Sequence, residues 1–482
     1  GSLYAVASPY SAGTGTLIQT PFTPDSAWHH IAFVLNRDLD RLELYVDGAL
    51  ASFGNFAENW ALDYDALSPS LYIGRDRSGS STNTDIDEVA IYKSALTLAQ
   101  VQAHYLAGSR ALTVSSTSDS GTGSLRSAIT TANRLPGAQT IDFALPVAGP
   151  TGIDLTSTLP PITEQVFIDG ATQPGYAGTP AVDIVGPGNS APAMPIVSGS
   201  GTRVRGLAFG NNLAGIESLP AASGTQIDGC YFGVSHLGTV LACQTAVSAA
   251  GPGTIVGVTG PNGGNSFANC NTAIEISGAS SEGASIQNNA IGALTFSSAS
   301  TNPGIGVSLA DTKGAQVSGN RLAVQAAGIN VINTSYTAGG HHTISGNRLG
   351  SNAADTAGVS MIMGLYLVGS NDNTLGGPHA ADGNTIGSCI ANAIMLVQSS
   401  RNTIDCNRIG TDSTGTVARQ VGAGVAIYAS SSQNTIGSMT AERPNLIANA
   451  GYGVFANDAT CQGNRIENNQ IRNVSTAFID LN

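Results

Sequence analysis

Cations are scarce in this 482-residue chain: lysine occurs only as Lys93 and Lys313, and 19 basic residues face 32 acidic ones for a net charge of -13. That balance argues against a nucleic-acid partner or an anionic membrane surface, because phosphate binding needs clustered cations. Neutral ligands or calcium suit it better. Charged residues of both signs reach only 11% and aromatics 6%, which argues against a helical globular protein, and sixty glycines point to small side chains and many turns. No run of 18 apolar residues occurs, so no membrane insertion is expected. Six cysteines are too few for a disulfide scaffold. Residue 1 is Gly rather than Met, and any secretion signal is expected to lie outside this chain.

What the chain has instead is a repeat. A small residue followed by an aliphatic one begins at Gly215-Ile216, Ala246-Val247, Ala273-Ile274, Gly306-Val307, Gly328-Ile329, Gly364-Leu365, Ala393-Ile394, Gly424-Val425, Gly453-Val454 and Ala477-Phe478. The steps are 31, 27, 33, 22, 36, 29, 31, 29 and 24 residues. Units of this length cannot bury an apolar residue alone and must stack on one another, so the pattern predicts a solenoid whose core grows in one dimension.

Asparagine marks two further columns. Asn373, Asn402, Asn434 and Asn464 keep the same period, and a looser set runs through Asn289, Asn320, Asn347, Asn407 and Asn469. Asn tolerates the left-handed backbone of a corner, and stacked amides can bond along an axis, so three strands per coil are expected. Cys243 and Cys270 occupy one position on successive coils, which would set their Cα atoms about 4.8 Å apart, within disulfide range. A disulfide is one expectation, two stacked thiols the other. The remaining four cysteines read as buried small residues. The repeat shows no closing segment at Phe478–Asn482, so truncation at the C-terminus is expected, since an uncapped end exposes strand edges.

Residues 1–108 are different. Both tryptophans, Trp28 and Trp60, lie here, and Leu42-Glu-Leu-Tyr-Val-Asp-Gly48 alternates strictly before a hairpin signal. Further strands are expected at Leu71–Gly74 and Asp87–Tyr92, then a helix over 97–105 that stops at Gly108. Trp28-His-His-Ile-Ala-Phe33, Leu44-Tyr-Val-Asp-Gly48, Leu71-Tyr-Ile-Gly-Arg75 and Ile86-Asp-Glu-Val-Ala-Ile-Tyr92 resemble the second half of a laminin-G-like, concanavalin-A-type jelly-roll module. The resemblance implies a partial antiparallel sandwich, incomplete at its N-terminus.

Between 112 and 190, Thr113-Val-Ser-Ser-Thr-Ser-Asp119 leads to Gly123-Ser-Leu-Arg-Ser-Ala-Ile-Thr-Thr-Ala-Asn133, then Thr140-Ile-Asp-Phe143, Leu159-Pro-Pro-Ile-Thr163 and Ile168-Asp-Gly170. Ser124 can cap a short helix with Leu125, Ile129 and Ala132 on one face. The succession is similar to the N-terminal cap of bacterial surface proteins with right-handed parallel β-helix repeats, a pectin-lyase-like fold. The expected architecture is therefore all-β: a jelly-roll part at 1–108, a cap and first coils at 109–200 with a capping helix, and a right-handed three-sided parallel β-helix at 201–482.

Catalysis has thin support. Glycoside hydrolysis needs paired carboxylates, and on a solenoid these come from neighbouring coils. Glu217 and Glu275 share an outward row with Ser248 between them, and Asp405 and Glu467 are likewise two coils apart; solvated acids are the alternative reading for both. Adjacent His341 and His342 would point to opposite faces, so no metal site is expected there. Acids between Asn83 and Glu88 admit calcium in the jelly-roll part, although Ile86 and Val89 suggest a core strand; no other cofactor is implied.

The residues that follow the buried column run Glu217, Ser248, Glu275, Ser308, Asn330, then Tyr366, Met395, Ala426, Phe455 and Ile479. Polar gives way to apolar, which predicts an outward strip, with Tyr366, Met395 and Phe455 as binding residues unless the loops at 333–342 and 378–383 cover it. Three functions follow: a secreted or cell-surface non-catalytic carbohydrate-binding adhesion protein with a glycan or cell-surface partner and possible self-association; a polysaccharide lyase or glycoside hydrolase with a lectin-like accessory domain; or a structural segment of a giant extracellular filament.

Overall fold

The computed structural model describes residues 2–7, 16–21, 29–56, 89–109, 112–135, 137–146, 151–188, 190–292, 301–334 and 340–481. Two compact units result, Gly1–Ala111 with Arg134–Pro136, and Leu112–Asn133 with Gly137–Asn482.

In the first unit, Ser2–Ala7 pairs antiparallel with Thr16–Pro21, and Ile31–Asn36, Arg41–Val46 and Ala49–Asn55 form an antiparallel meander. Asp47 and Gly48 both have positive φ, 51° and 75°, as a two-residue hairpin turn requires. Alternation in the central strand sends Leu42 and Leu44 against Ile18, and sends Tyr45 with Val34 against Val101 of the helix Leu98–Ser109. The strand expected over 87–92 does not extend into its described part: Val89–Tyr92 pairs with no strand among the described residues, and Val89 and Ile91 are exposed rather than in a core. Trp28, Trp60, Leu71–Gly74 and the acids from Asn83 to Glu88 lie outside the described residues.

The second unit is a three-sided parallel β-helix. Its first face is a 13-stranded sheet running from Thr113–Val114 to Arg465–Ile466. Two-residue strands such as Arg321–Leu322, Arg348–Leu349 and Arg408–Ile409 make the second face. Longer strands such as Cys243–Ala249, Met363–Val368 and Val421–Tyr428 make the third. Every pairing between consecutive coils is parallel. Each face sends an aliphatic row inward, exemplified by Ile286–Val317–Ile344–Leu375, Ile291–Leu322–Leu349–Ile386 and Ile329–Leu365–Ile394–Val425, all at most 1% exposed, and the third face adds a second row, Val331–Leu367–Leu396–Ile427. Near the first coils the second row is aromatic, with the rings of Phe209, Phe232 and Phe267 stacked at centroid distances of 5.4 and 5.0 Å.

The small residue before each third-face aliphatic has a steric cause. A Cβ on Gly364 would meet the Ala393 carbonyl oxygen at 2.4 Å and Ile386 Cγ2 at 2.5 Å, so this position admits no side chain, and the coils on either side carry only Gly328 and Ala393 there. The last unit departs from the expected pattern. A register shift between Ala450 and Tyr452 pairs Val454 with Ile479 and Phe455 with Asp480, so Phe478-Ile479, and not Ala477-Phe478, continues the column.

At the corner between the first and second faces, eight asparagines form one ladder: Asn265, Asn289, Asn320, Asn347, Asn384, Asn407, Asn445 and Asn469. Each side-chain NH2 donates to the Oδ1 of the next rung at 2.9–3.2 Å. That Oδ1 also accepts a backbone N–H from the previous coil, and the NH2 reaches a first-face carbonyl as well, as in Asn347 Nδ2 to Val317 O at 2.8 Å. A second ladder, Asn373–Asn402–Asn434–Asn464, closes the corner between the third and first faces. The reason for Asn is hydrogen bonding and not backbone conformation. The left-handed residue is the one before the rung, as at Asn288, Gly319, Gly346 and Cys406, or Asp372, Arg401 and Gln433.

His342 is a variant rung at the head of the second ladder. Its N–H donates to Asn373 Oδ1 at 2.9 Å and its Nδ1 accepts from Ala315 N–H at 3.1 Å, while Nε2 is buried without a partner among the described residues. His341, at φ 57°, is exposed, so the two imidazoles face apart. The other end of the unit is closed by the helix Leu125–Ala132, capped by Ser124, whose side chain accepts from Ser127 N–H. Leu125, Ala128, Ile129 and Ala132 are fully buried on Ile141, Phe143 and their neighbours.

Two predictions follow from the ladders. Asn347→Ala strands the Asn320 N–H and the Val317 carbonyl, so it should lower unfolding free energy by about 3 kcal/mol in urea titrations, whereas an exposed substitution such as Gln316→Ala should change little. Burial pushes the His342 imidazole from 6.5 down to about 4. Between those values the unfolded chain binds a proton that the folded chain refuses, so stability falls as pH drops through that window. His342→Asn removes this penalty, and from pH 7.5 to pH 5 its advantage over the parent should grow by ~2 kcal/mol.

Candidate functional site

Outward positions of the third face line up in rows because parallel pairing keeps the coils in register, apart from local shifts at Cys389–Asn392 and Ala450–Tyr452. One row runs Glu217, Ser248, Glu275, Ser308, Asn330, Tyr366, Met395, Ala426, Phe455, Asp480. Asp480, not Ile479, ends it, because the register shift turns Ile479 to the inward side. Tyr366, Met395 and Phe455 are half-buried, whereas Ala426 is fully buried and offers no surface of its own. The strip is therefore a floor at Ala426 between larger walls.

Two neighbouring rows contribute residues that reading one position per coil missed. Ile332, Val368, Val397 and Tyr428 form one, and Ala423 and Tyr452 belong to the other. Phe455 packs against Tyr452 at 5.0 Å between centroids and against Tyr428 at 5.9 Å, nearly edge-on. Three rings thus gather around Ala426, and the signal that would have found them is the same register applied two residues after and three residues before each outward position. Asn330, beside Tyr366, is buried with its Oδ1 unpaired among the described residues. The loop at 377–383 lies at the far corner, where Cys406 Sγ contacts the Pro378 carbonyl and His379 meets Glu442 at 3.0 Å. Residues 335–339 of the other loop are outside the described residues.

The same face is polar at its other end. Cys243 and Cys270 pair across adjacent strands with Cα atoms 4.8 Å apart and are joined as a disulfide. They line a cleft of about 570 Å³ with Gln244, Asn269, Asn271 and Gln325. Of the other cysteines, Cys230, Cys389 and Cys406 are buried and free, while Cys461 is only half-buried. Burial pushes the Cys230 thiol up to about 12 and raises that of Cys389 further, which leaves both unreactive.

The acidic candidates are not brought together as a close pair. Glu217 and Glu275 have Ser248 between them. Asp405 and Glu467 are separated by the coil carrying Gly437. Asp405 is 6% exposed, its Oδ1 has no partner among the described residues, and burial followed by the charge of Glu467 raises its pKa. Glu467 is engaged by Arg465 at 2.7 Å. One acid–imidazole pair escaped sequence reading because 53 residues separate its members: Asp183 accepts His236 N–H at 2.8 Å and stands 2.7 Å from its Nδ1. The hairpin bridged by Val234 and Val240 carries His236 there. Among the described residues no group of three or more His, Cys, Asp or Glu side chains forms a metal site, and no helix is long and apolar enough to cross a membrane.

Fold and outward rows define an all-β protein with an antiparallel unit followed by a parallel β-helix. Residues 4–102 match the family described as the concanavalin A-like lectin/glucanases superfamily. A comparison with curated proteins finds no match. Among solved structures, the chain is similar to the A-module of the mannuronan C-5 epimerase AlgE4 of Azotobacter vinelandii, with 12% identity and a TM-score of 0.38 over 77% of this chain and 97% of that one. It is similar also to PfbA, a surface adhesin of Streptococcus pneumoniae, with 12% identity and a TM-score of 0.27 over 77% and 93% of the two chains. The Dettilon tailspike protein matches at 12% identity and a TM-score of 0.33, over 71% of this chain and 64% of that one.

The cysteine pairing gives a direct prediction. Alkylation under denaturing conditions should label four of the six cysteines without reduction and all six after it, read by intact mass.

Proposed function

We propose that this chain is part of a secreted or cell-surface protein that binds carbohydrate without transforming it, the β-helix serving as a rigid shaft with a lateral binding face. The observation that carries this reading is the aromatic group on the third face, Tyr428, Tyr452 and Phe455 around the buried Ala426, extended by Met395 and Tyr366. A pyranose ring presents C–H groups on its faces, and aromatic faces carry partial negative charge, so rings held a strand spacing apart suit consecutive sugars of a glycan. The lectin-type match at residues 4–102 supports a glycan partner. An exposed apolar strip of this kind also suits self-association.

A glycan array probed with the full chain identifies ligands, and titration calorimetry then compares variants. Tyr452→Ser with Phe455→Ser, and separately Tyr366→Ser with Phe455→Ser, should weaken binding at least tenfold while thermal stability stays close to the parent's. Unchanged binding at unchanged stability would remove the strip from the site. Turnover of any polysaccharide that is lost in Asp405→Asn or Glu275→Gln would replace binding with catalysis. Sedimentation of the same variants reports whether the strip also joins copies.

A further inference from the structure

A line of arginines occupies the outside of the second face in a chain otherwise poor in cations. Arg321 and Arg348 lie opposite each other on adjacent strands, Thr385 follows, and Arg408 comes next. Three more guanidinium groups reach in from flanking segments and are anchored by carbonyl oxygens: Arg419 on Asp355 at 3.3 Å, Arg443 on Cys406 at 2.7 Å and Arg472 on Gly415 at 2.9 Å.

Two acids lie beside them, and they offset the arginines only in part. Asp412 accepts from the Thr414 hydroxyl and from the N–H groups of Thr416 and Val417, and Asp355 accepts Ser413 N–H while standing 3.8 Å from Arg348. The backbone N–H groups of Arg321 and Arg408 donate to Asn289 and Asn384, but their side chains make no hydrogen bond or ion pair among the described residues. The Nε atoms of Arg419 and Arg443 are buried without partners there. Burial and the charge of Arg443 both disfavour the Arg408 cation, with Asp412 only partly offsetting them. Like charges opposite one another on adjacent strands destabilise a sheet, so folding alone gives no reason for this arrangement. An anion supplied from outside does.

We propose that the second face binds a carboxylated polysaccharide, a chain of uronate residues whose carboxylates meet the arginines. Successive coils are one strand spacing apart, about 4.8 Å, which is comparable with the advance per sugar of an extended polysaccharide. The guanidinium fork matches a carboxylate in two hydrogen bonds. The net charge of -13 opposes a dense polyanion such as nucleic acid, with one charge per ~1.7 Å of duplex, far more than a polymer with one charge per sugar. The proposal shares with the third-face reading only the class of ligand, and it uses different residues.

Titration of the full chain with a galacturonate decamer tests it. Binding that weakens with salt is expected, with at least a tenfold loss in Arg321→Gln and a larger one in Arg321→Gln with Arg408→Gln, while Gln316→Ala on the first face binds the decamer as the parent does. Arg321 is exposed and its side chain is unbonded, so its replacement does not endanger folding. The same decamer with its carboxyls reduced to alcohols should not bind at this face. No binding of the decamer by the parent, equal binding of the reduced decamer, unchanged affinity in the arginine variants, or equal affinity for single-stranded DNA of the same charge would each overturn the proposal. None of these outcomes bears on the aromatic strip, whose variants are read with neutral glycans.

Discussion

The rest of this structure depends on how the coil turns its corners. Within a face, parallel pairing satisfies backbone N–H and C=O groups, but at a corner the chain leaves the ladder and its polar groups face a buried interior. An asparagine at the first-to-second corner answers each need at once, because its oxygen takes two N–H groups and its NH2 gives to an amide oxygen and a carbonyl. Eight such rungs in sequence fix the rise and the register of eight coils. With register fixed, side chains on either side of any position also fall into rows.

Those rows are the reason a surface of small, weakly charged residues can present chemically distinct stripes. The third face places Tyr366, Met395 and Phe455 in line and brings Tyr428 and Tyr452 beside them, and the second face does the same for arginines. Neither stripe needs a deep pocket. A linear polymer lying across the coils meets the same chemistry at each step, which is what a one-dimensional scaffold offers and a compact domain does not.

Much of the fold was legible in the sequence because it follows from local steric and hydrogen-bonding rules. The small-aliphatic column reflects a crowded backbone position held by Gly or Ala, and the isolated Asn positions reflect corner satisfaction. Three rungs were missed, Asn265, Asn384 and Asn445, because loops of seven residues at 258–264, 377–383 and 438–444 precede them and break the period. His342 was read as half of a histidine pair, since nothing local says that imidazole can replace a ladder amide. The last coil was placed one residue off because a bulge adds a residue without changing the motif.

The sequence by itself determined the repeat, the three-sided coil, the aliphatic rows, the capping helix with Ser124 at its start and the facing positions of Cys243 and Cys270. All of these depend on residues within one repeat length of each other. Only the tertiary structure decided that Ala426 is a floor and not part of the strip, that Tyr428 and Tyr452 close on Phe455, that Asp183 meets His236, and that Arg408 stands one coil beyond Thr385 in line with Arg321 and Arg348. The physical reason is loop length. Coils vary between 22 and 36 residues, so which outward side chains become neighbours is set by strand pairing in space and not by any spacing along the chain.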